Sequence, residues 1–237
     1  MQYLTKQELS ALILAVHRAQ QNQIPFSMAG AGLPNLPKLA GEAKSYAERL
    51  FLFPEIGPLT EEETKKALQD PVQGLGCTFS EEALKEIFTK TRGYPYFVQE
   101  WGSHSWNMAT KKDITVQDVH RATKTALEQL DNNFFRVRFD RLTPQEKVYL
   151  RALAQIGPGV HKSGDVAAVL GVSYESLGPV RDKVLKKGMA YSPSHGLLAF
   201  TVPLFDEFMF RVMPAPPEKK NQAAGQDRAI GNLDSGS

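Results

Sequence analysis

The sequence lacks most of the features that identify a protein at sight. Cys77 is the only cysteine among 237 residues, which excludes a disulfide within the chain and any cysteine-based metal cluster. No apolar run nears the roughly 20 residues needed to span a bilayer, so no membrane partner is expected. The apolar run at 9–16 has helical spacing, lies behind Lys6 and Glu8, and has no small-residue cleavage site after it. It does not read as a signal peptide. Charge of one sign is lacking too. With 28 basic and 26 acidic residues the formal net charge is +2, too small by itself to imply a polyanion partner. A nucleic-acid argument must therefore rest on local charge. Hydrophobic residues at 42% and charged residues at 23% fit a globular chain with one or two cores, and a cytoplasmic address is the expectation.

What the chain does have is clear punctuation of helices. Thr5 and Glu8 form a capping-box pattern ahead of Leu9, Leu12, Ile13 and Val16, which share a face. Residues 24–29 are a short apolar run that predicts a buried strand, and Phe51-Leu52-Phe53 with Ile56 predicts a second short strand, with a helix over 37–50 between them. Gly30-Ala31-Gly32-Leu33-Pro34 and Gly57-Pro58 end the two runs. A helical array follows. Thr60 precedes Glu61, Glu62 and Glu63, and Ser80 precedes Glu81 and Glu82, placing negative charge where it suits a helix dipole. Gly93-Tyr94-Pro95 reads as a turn, 96–110 as a helix rich in aromatics, and Thr115 as the cap of another helix reaching Leu130. The pattern changes at Asn132-Asn133, which predicts a linker containing Arg136, Arg138 and Arg141.

The last third has a defined order. Thr143-Pro144-Gln145-Glu146 is a strong helix start. A short helix over 162–170, the turn Gly171-Val172-Ser173 and a helix over 174–187 come next. Two apolar strands at 189–191 and 197–202, a hairpin turn between them and a short helix over 203–212 complete the set. Helix, helix, turn, helix and hairpin is the winged-helix arrangement, in which the helix after the turn enters the DNA major groove in DNA-binding members. Here that helix carries Arg181, Lys183, Lys186 and Lys187, the candidate DNA-binding residues. Lys183 and Lys187 lie four apart on one face, as phosphate contacts require. The same residues also suit a helix C-terminus and a solvated surface. Gly178-Pro179 interrupts the helix and shortens what reaches a groove. Residues 214–237, rich in Pro, Lys, Gln, Gly and Ser, are expected to be disordered.

Several segments together resemble one family. Gln2-Tyr3-Leu4 before the first helix is similar to the stretch just after a Walker B motif in archaeal-type AAA+ ATPases, relatives of the STAND NTPases. Ile24-Pro25-Phe26-Ser27-Met28-Ala29-Gly30-Ala31-Gly32-Leu33-Pro34 resembles the sensor-1 strand and loop. Glu48-Arg49-Leu50-Phe51 with Phe53 and Pro54 resembles the arginine-finger helix and last core strand, and Thr91-Arg92-Gly93-Tyr94-Pro95-Tyr96-Phe97 the lid's GxP-type sensor-2 region. The resemblance covers about residues 1–212. It implies a mainly α fold with short β elements: an incomplete AAA+ α/β core at 1–58, a helical lid at 59–131 and a winged helix at 135–213. It also implies that Arg49 acts in trans as an arginine finger and that Gly93, Tyr94 and Pro95 contact adenine. The bland alternatives are an Arg49 surface pair with Glu42, Ser45 or Glu48, and a helix-opening proline beside core packing.

The departures from the family limit the chemistry. No GxxxxGK[ST] occurs in the sequence, and Gly30-Ala31-Gly32 has no Lys-Ser/Thr after it. The Walker B acids are also missing, and the chain starts beside the point where they would stand. The expectation is a C-terminal fragment that does not hydrolyse ATP alone, with no cofactor of its own. ATP and magnesium would enter only if another segment or chain supplied the P-loop. Its winged helix would contact DNA or a partner. The rival readings are a winged-helix transcription regulator, and an interaction module that completes a partner ATPase in trans or self-associates. Trp101 and Trp106 read as lid core. His104 and His120 lack a second ligand at metal spacing, so no metal site is expected.

Overall fold

The computed structural model describes residues 4–213; Gln2-Tyr3 and the 214–237 tail lie outside the described residues. The fold is mainly helical with five short strands among the described residues. Its first part is α1 (Lys6–Gln21), α2 (Leu36–Ala43) and α3 (Ala47–Leu50). Thr5 and Glu8 close the expected capping box: the Glu8 N–H donates to Thr5 Oγ1 at 3.2 Å and the Thr5 N–H to Glu8 Oε2 at 2.7 Å. These helices enclose a small core of Leu9, Ile13, Ala40 and Ala47. The helix expected over 37–50 is split, because Lys44 is extended at φ −148° and ψ 118°.

Neither 24–29 nor 51–53 forms a strand. Both stretches lie outside helix and strand and join no ladder among the described residues. Ile24 and Phe26 are 55% and 57% exposed, so the first run is not buried; in the second, Leu52 is 90% exposed while Phe51 and Phe53 are partly buried against the small core. The physical reason is pairing. A strand exists by its neighbour, and among the described residues no segment hydrogen-bonds to these two to complete a sheet.

The larger body begins with α4 (Glu61–Gln73), α5 (Glu81–Thr91), α6 (Pro95–Met108) and α7 (Val116–Gln129). Each starts where local chemistry favours it: Thr60 and Thr115 make capping boxes, the Ser80 hydroxyl accepts from the Ala83 N–H, and Pro95 opens α6. A parallel pair, β1 (Thr78–Phe79) and β2 (Asp113–Ile114), ties two of their loops together.

The linker expected after Asn132 is helical instead. The chain runs from α7 through a π-helical turn, Leu130–Phe135, into α8 (Arg136–Phe139). Phe135 and Phe139 are buried and anchor this stretch. The remainder is α9 (Pro144–Ile156), β3 (His161–Lys162), α10 (Ser163–Leu170), a 3-10 turn (Glu175–Leu177), α11 (Gly178–Lys186), β4 (Ala190–Tyr191), β5 (Leu197–Phe200) and α12 (Phe205–Val212). The strands pair antiparallel in the order β3-β5-β4. The helix expected over 174–187 is thus a 3-10 turn followed by a shorter helix, with Pro179 in its first turn.

One continuous hydrophobic core runs from Leu68 to Met209 and joins both halves of this body. Phe135 lies at its centre. Its ring meets Phe97 of α6 at 5.7 Å and Phe205 and Phe208 of α12 at 5.7 and 5.3 Å. Such rings bury large areas, and the edge-on pairs with Phe97 and Phe205 gain a further ~0.5–1.5 kcal/mol each.

Candidate functional site

The structure divides the four basic residues of α11. Arg181 faces inward: its Nε donates to Ser163 Oγ at 3.1 Å and its Nη2 to Ser192 Oγ at 3.3 Å. It braces the start of α10 against the hairpin. Lys187 is also engaged, donating to Glu146 Oε2 at 2.6 Å and to the Arg141 carbonyl at 2.8 Å. Glu146 is the third residue of the α9 capping box and is 1% exposed. Burial pushes its carboxyl up, but the Lys187 ammonium and the Thr143 N–H outweigh that and hold it below the ordinary carboxylate value.

Lys183 and Lys186 remain. Both are exposed, and neither has an ion-pair partner among the described residues. Glu175 and Asp182 are exposed on the same segment, so the outer side of α11 carries mixed charge. The turn before α11 presents Val172 and Tyr174, and the hairpin tip presents His195. Beneath this surface Tyr149 is fully buried, its hydroxyl has no partner among the described residues, and burial pushes its pKa up to about 12 although Arg181 is near.

The second candidate is the turn at 92–95. Arg92 ends α5 in the left-handed region at φ 53°, followed by Gly93 at φ 69°. The Leu59 N–H donates to the Gly93 carbonyl at 2.8 Å. A Cβ on Gly93 would stand 2.0 Å from the Leu59 carbonyl oxygen, so only glycine fits. Tyr94 is half-buried with its ring 4.7 Å from that of Phe97, and Pro95 is exposed. Arg92 leaves the turn for α12, where its guanidinium lies 3.3 Å from Glu207 and 4.0 Å from Asp206. Sequence reasoning missed this contact, and nothing local signals it.

Arg49 is exposed on α3 and pairs with neither Glu42 nor Glu48. Trp101 is core, its indole N–H donating to Thr123 Oγ1 at 3.1 Å, and Trp106 is partly buried. His104 neighbours Gln129 and Glu100, and His120 neighbours Glu86. No group of three metal-ligating side chains occurs among the described residues, and no described helix is long and apolar enough to cross a membrane. An open cavity of about 380 Å³ lies between α1 and the extended 24–28 stretch, lined by uncharged residues such as Val16, Gln20, Phe26 and Phe51.

A family model described as "Domain of unknown function (DUF8462)" matches residues 132–209, about a third of the chain. Its span runs from within the π-helical turn through α8–α11 and the hairpin into α12. No curated protein matches the chain. Among solved structures it is similar to the Thermotoga maritima RuvB Holliday junction branch migration motor, at 19% identity and TM-score 0.47 over 84% of this chain. A variant of that motor gives TM-score 0.48 at the same identity and coverage. The chain spans 64% of the length of those structures.

Proposed function

We propose that residues 59–213 are the helical lid and winged helix of an AAA+/STAND-type ATP-binding protein, and that the winged helix contacts DNA through the Lys183–Lys186 side of α11. The observation that carries this reading is the shared aromatic core. Phe97 of α6, Phe135 of the π-helical turn and Phe205 and Phe208 of α12 pack together, so the helical array and the hairpin unit move as one body. A displacement of the array would then be delivered to α11. The tight Gly93 turn and the order of family-like segments support the lid assignment. Arg181 and Lys187 are assigned here to holding the unit together, and Lys183 and Lys186 to phosphate contact.

With no P-loop motif in its sequence, the chain is assigned no ATP hydrolysis of its own. Titration of the purified chain with ATP and magnesium tests this. Absence of hydrolysis is the expected result; micromolar binding with magnesium-dependent turnover would sink the reading. A second reading is favoured by the exposed, unpaired stretches around Ile24, Phe26, Leu52 and Ile56. In it the chain is an interaction module that completes a partner ATPase in trans, and Arg49 and the 93–95 turn face the partner's nucleotide. Co-purification with a chain carrying GxxxxGK[ST] would support it, and a monodisperse, fully folded monomer would count against it.

A further inference from the structure

A group of cations away from α11 also lacks carboxylate partners among the described residues. Arg136, Lys147 and Arg151 come from α8 and α9, and none has an ion-pair partner among the described residues. Each leans on an aromatic ring instead. The Arg136 guanidinium lies 5.9 Å from the Phe139 ring centroid, and the Lys147 ammonium lies 4.0 Å from the same centroid. Two cations therefore flank one ring. Lys147 and Arg151 are one turn apart on the same face of α9.

Arg151 is the unusual member. It is only 4% exposed, with its guanidinium carbon 4.3 Å from the Phe210 ring centroid. Its Nε donates to the Met213 carbonyl at 3.2 Å, capping the end of α12. Nη1 is buried and has no partner among the described residues. A buried guanidinium without an anion is costly. A cap on one carbonyl uses only part of its donor fork, and Nη1 lacks an acceptor among the described residues. The carboxylates of the neighbouring stretch do not supply one: Glu146 is held by Lys187, and Asp140 is paired with no cation.

Large apolar side chains are exposed on the same elements: Val137 at 46% and Val148 at 41% follow Arg136 and Lys147 in the chain, and Phe210, whose ring lies against Arg151, is 49% exposed. We propose that the face formed by Arg136, Lys147, Arg151, Val137, Val148 and Phe210 docks a partner-protein segment that carries carboxylates beside apolar side chains. The charge complementarity names the occupant. A carboxylate is slender and bidentate, and it reaches Arg151 once the half-exposed Phe210 ring turns aside. The partner's apolar side chains cover the two valines, giving the mixture of arginine, aromatic and aliphatic contact found at interface centres. A nucleic acid fits less well. Its phosphates need cations that reach outward, and the valines would be left against a polar backbone. This inference is independent of the DNA contact assigned to α11.

The test uses the full chain and a fluorescein-labelled synthetic peptide of repeated Glu-Leu-Asp-Phe units, read by fluorescence anisotropy. Controls are a peptide with lysine in place of each acid and a duplex oligonucleotide. Variants are Arg136→Glu with Lys147→Glu, and separately Phe210→Ser, each checked for unaltered circular dichroism. Arg151→Gln is added for comparison, since it alone risks the fold. The expected result is salt-sensitive binding of the acidic peptide, weakened about tenfold or more by the double charge reversal and clearly by Phe210→Ser. The lysine peptide should not bind. Failure of the acidic peptide to bind, or equal binding by the double variant, overturns the proposal. So does a face whose reversal abolishes only duplex binding, which would assign it to nucleic acid. Loss of a dimer in light scattering with no change in peptide binding would assign it to a second copy, and also overturns it.

Discussion

Lys187 and Glu146 illustrate how one residue's role depends on a partner far along the chain. By position Lys187 belongs to a cationic helix face, yet its ammonium is bound to a buried carboxylate 41 residues away. Lys187→Ala is expected to cost about 1–3 kcal/mol of stability, because it leaves a buried charged group without its partner. Denaturant unfolding checks this, and an unchanged midpoint would contradict it. The pH dependence has a definite sign. Glu146 is held below its ordinary pKa in the folded state. Its contribution is therefore fully present above the unfolded carboxylate value, near about 4.3, and is lost as pH falls through the lowered folded value. Glu146→Gln should flatten the acid limb of the stability curve relative to the parent. Gly93 makes the same point through backbone geometry. Gly93→Ala meets the Leu59 carbonyl at a left-handed position and is expected to destabilise by more than ~1–3 kcal/mol, read as a fall in melting temperature.

At the scale of elements, what the sequence made legible was local. Thr5, Thr60, Thr115 and Thr143 all cap the helices their positions imply, because a capping box needs only residues three apart. The aromatic helix and the hairpin were legible for the same reason. The two apolar runs near Ile24 and Phe51 carry a local strand pattern that the structure does not follow, because strand identity is decided by a neighbour. The linker after Asn132 was misread because two asparagines signal a break locally, while Phe135 and Phe139 hold that stretch helical through distant contacts with α6 and α12. The placement of the candidate residues was legible only in part: the sequence puts Arg181, Lys183, Lys186 and Lys187 together but does not show which of them point outward. Amide hydrogen exchange tests the corrected element. Amides over 130–139 should be protected nearly as well as those of α7, whereas exchange at the rate of an open chain would contradict it.

At the scale of the whole molecule, the larger body contains one core and the first helices another. Phe135→Ala removes the ring shared by α6 and α12 and is expected to cost about 3–5 kcal/mol. It should loosen the hairpin unit and the helical array together. Trp101 and Trp106, both in α6, report on the array, so a shift of their fluorescence transition would show the coupling directly. The central claim is that this coupled body touches DNA through Lys183 and Lys186. Its most direct test is the salt dependence of duplex DNA binding by the chain and by Lys183→Ala with Lys186→Ala. The expected result is measurable binding at low salt and a log–log salt slope reduced by about two in the variant. No binding at low salt, or an unchanged slope and affinity in the variant, would contradict it.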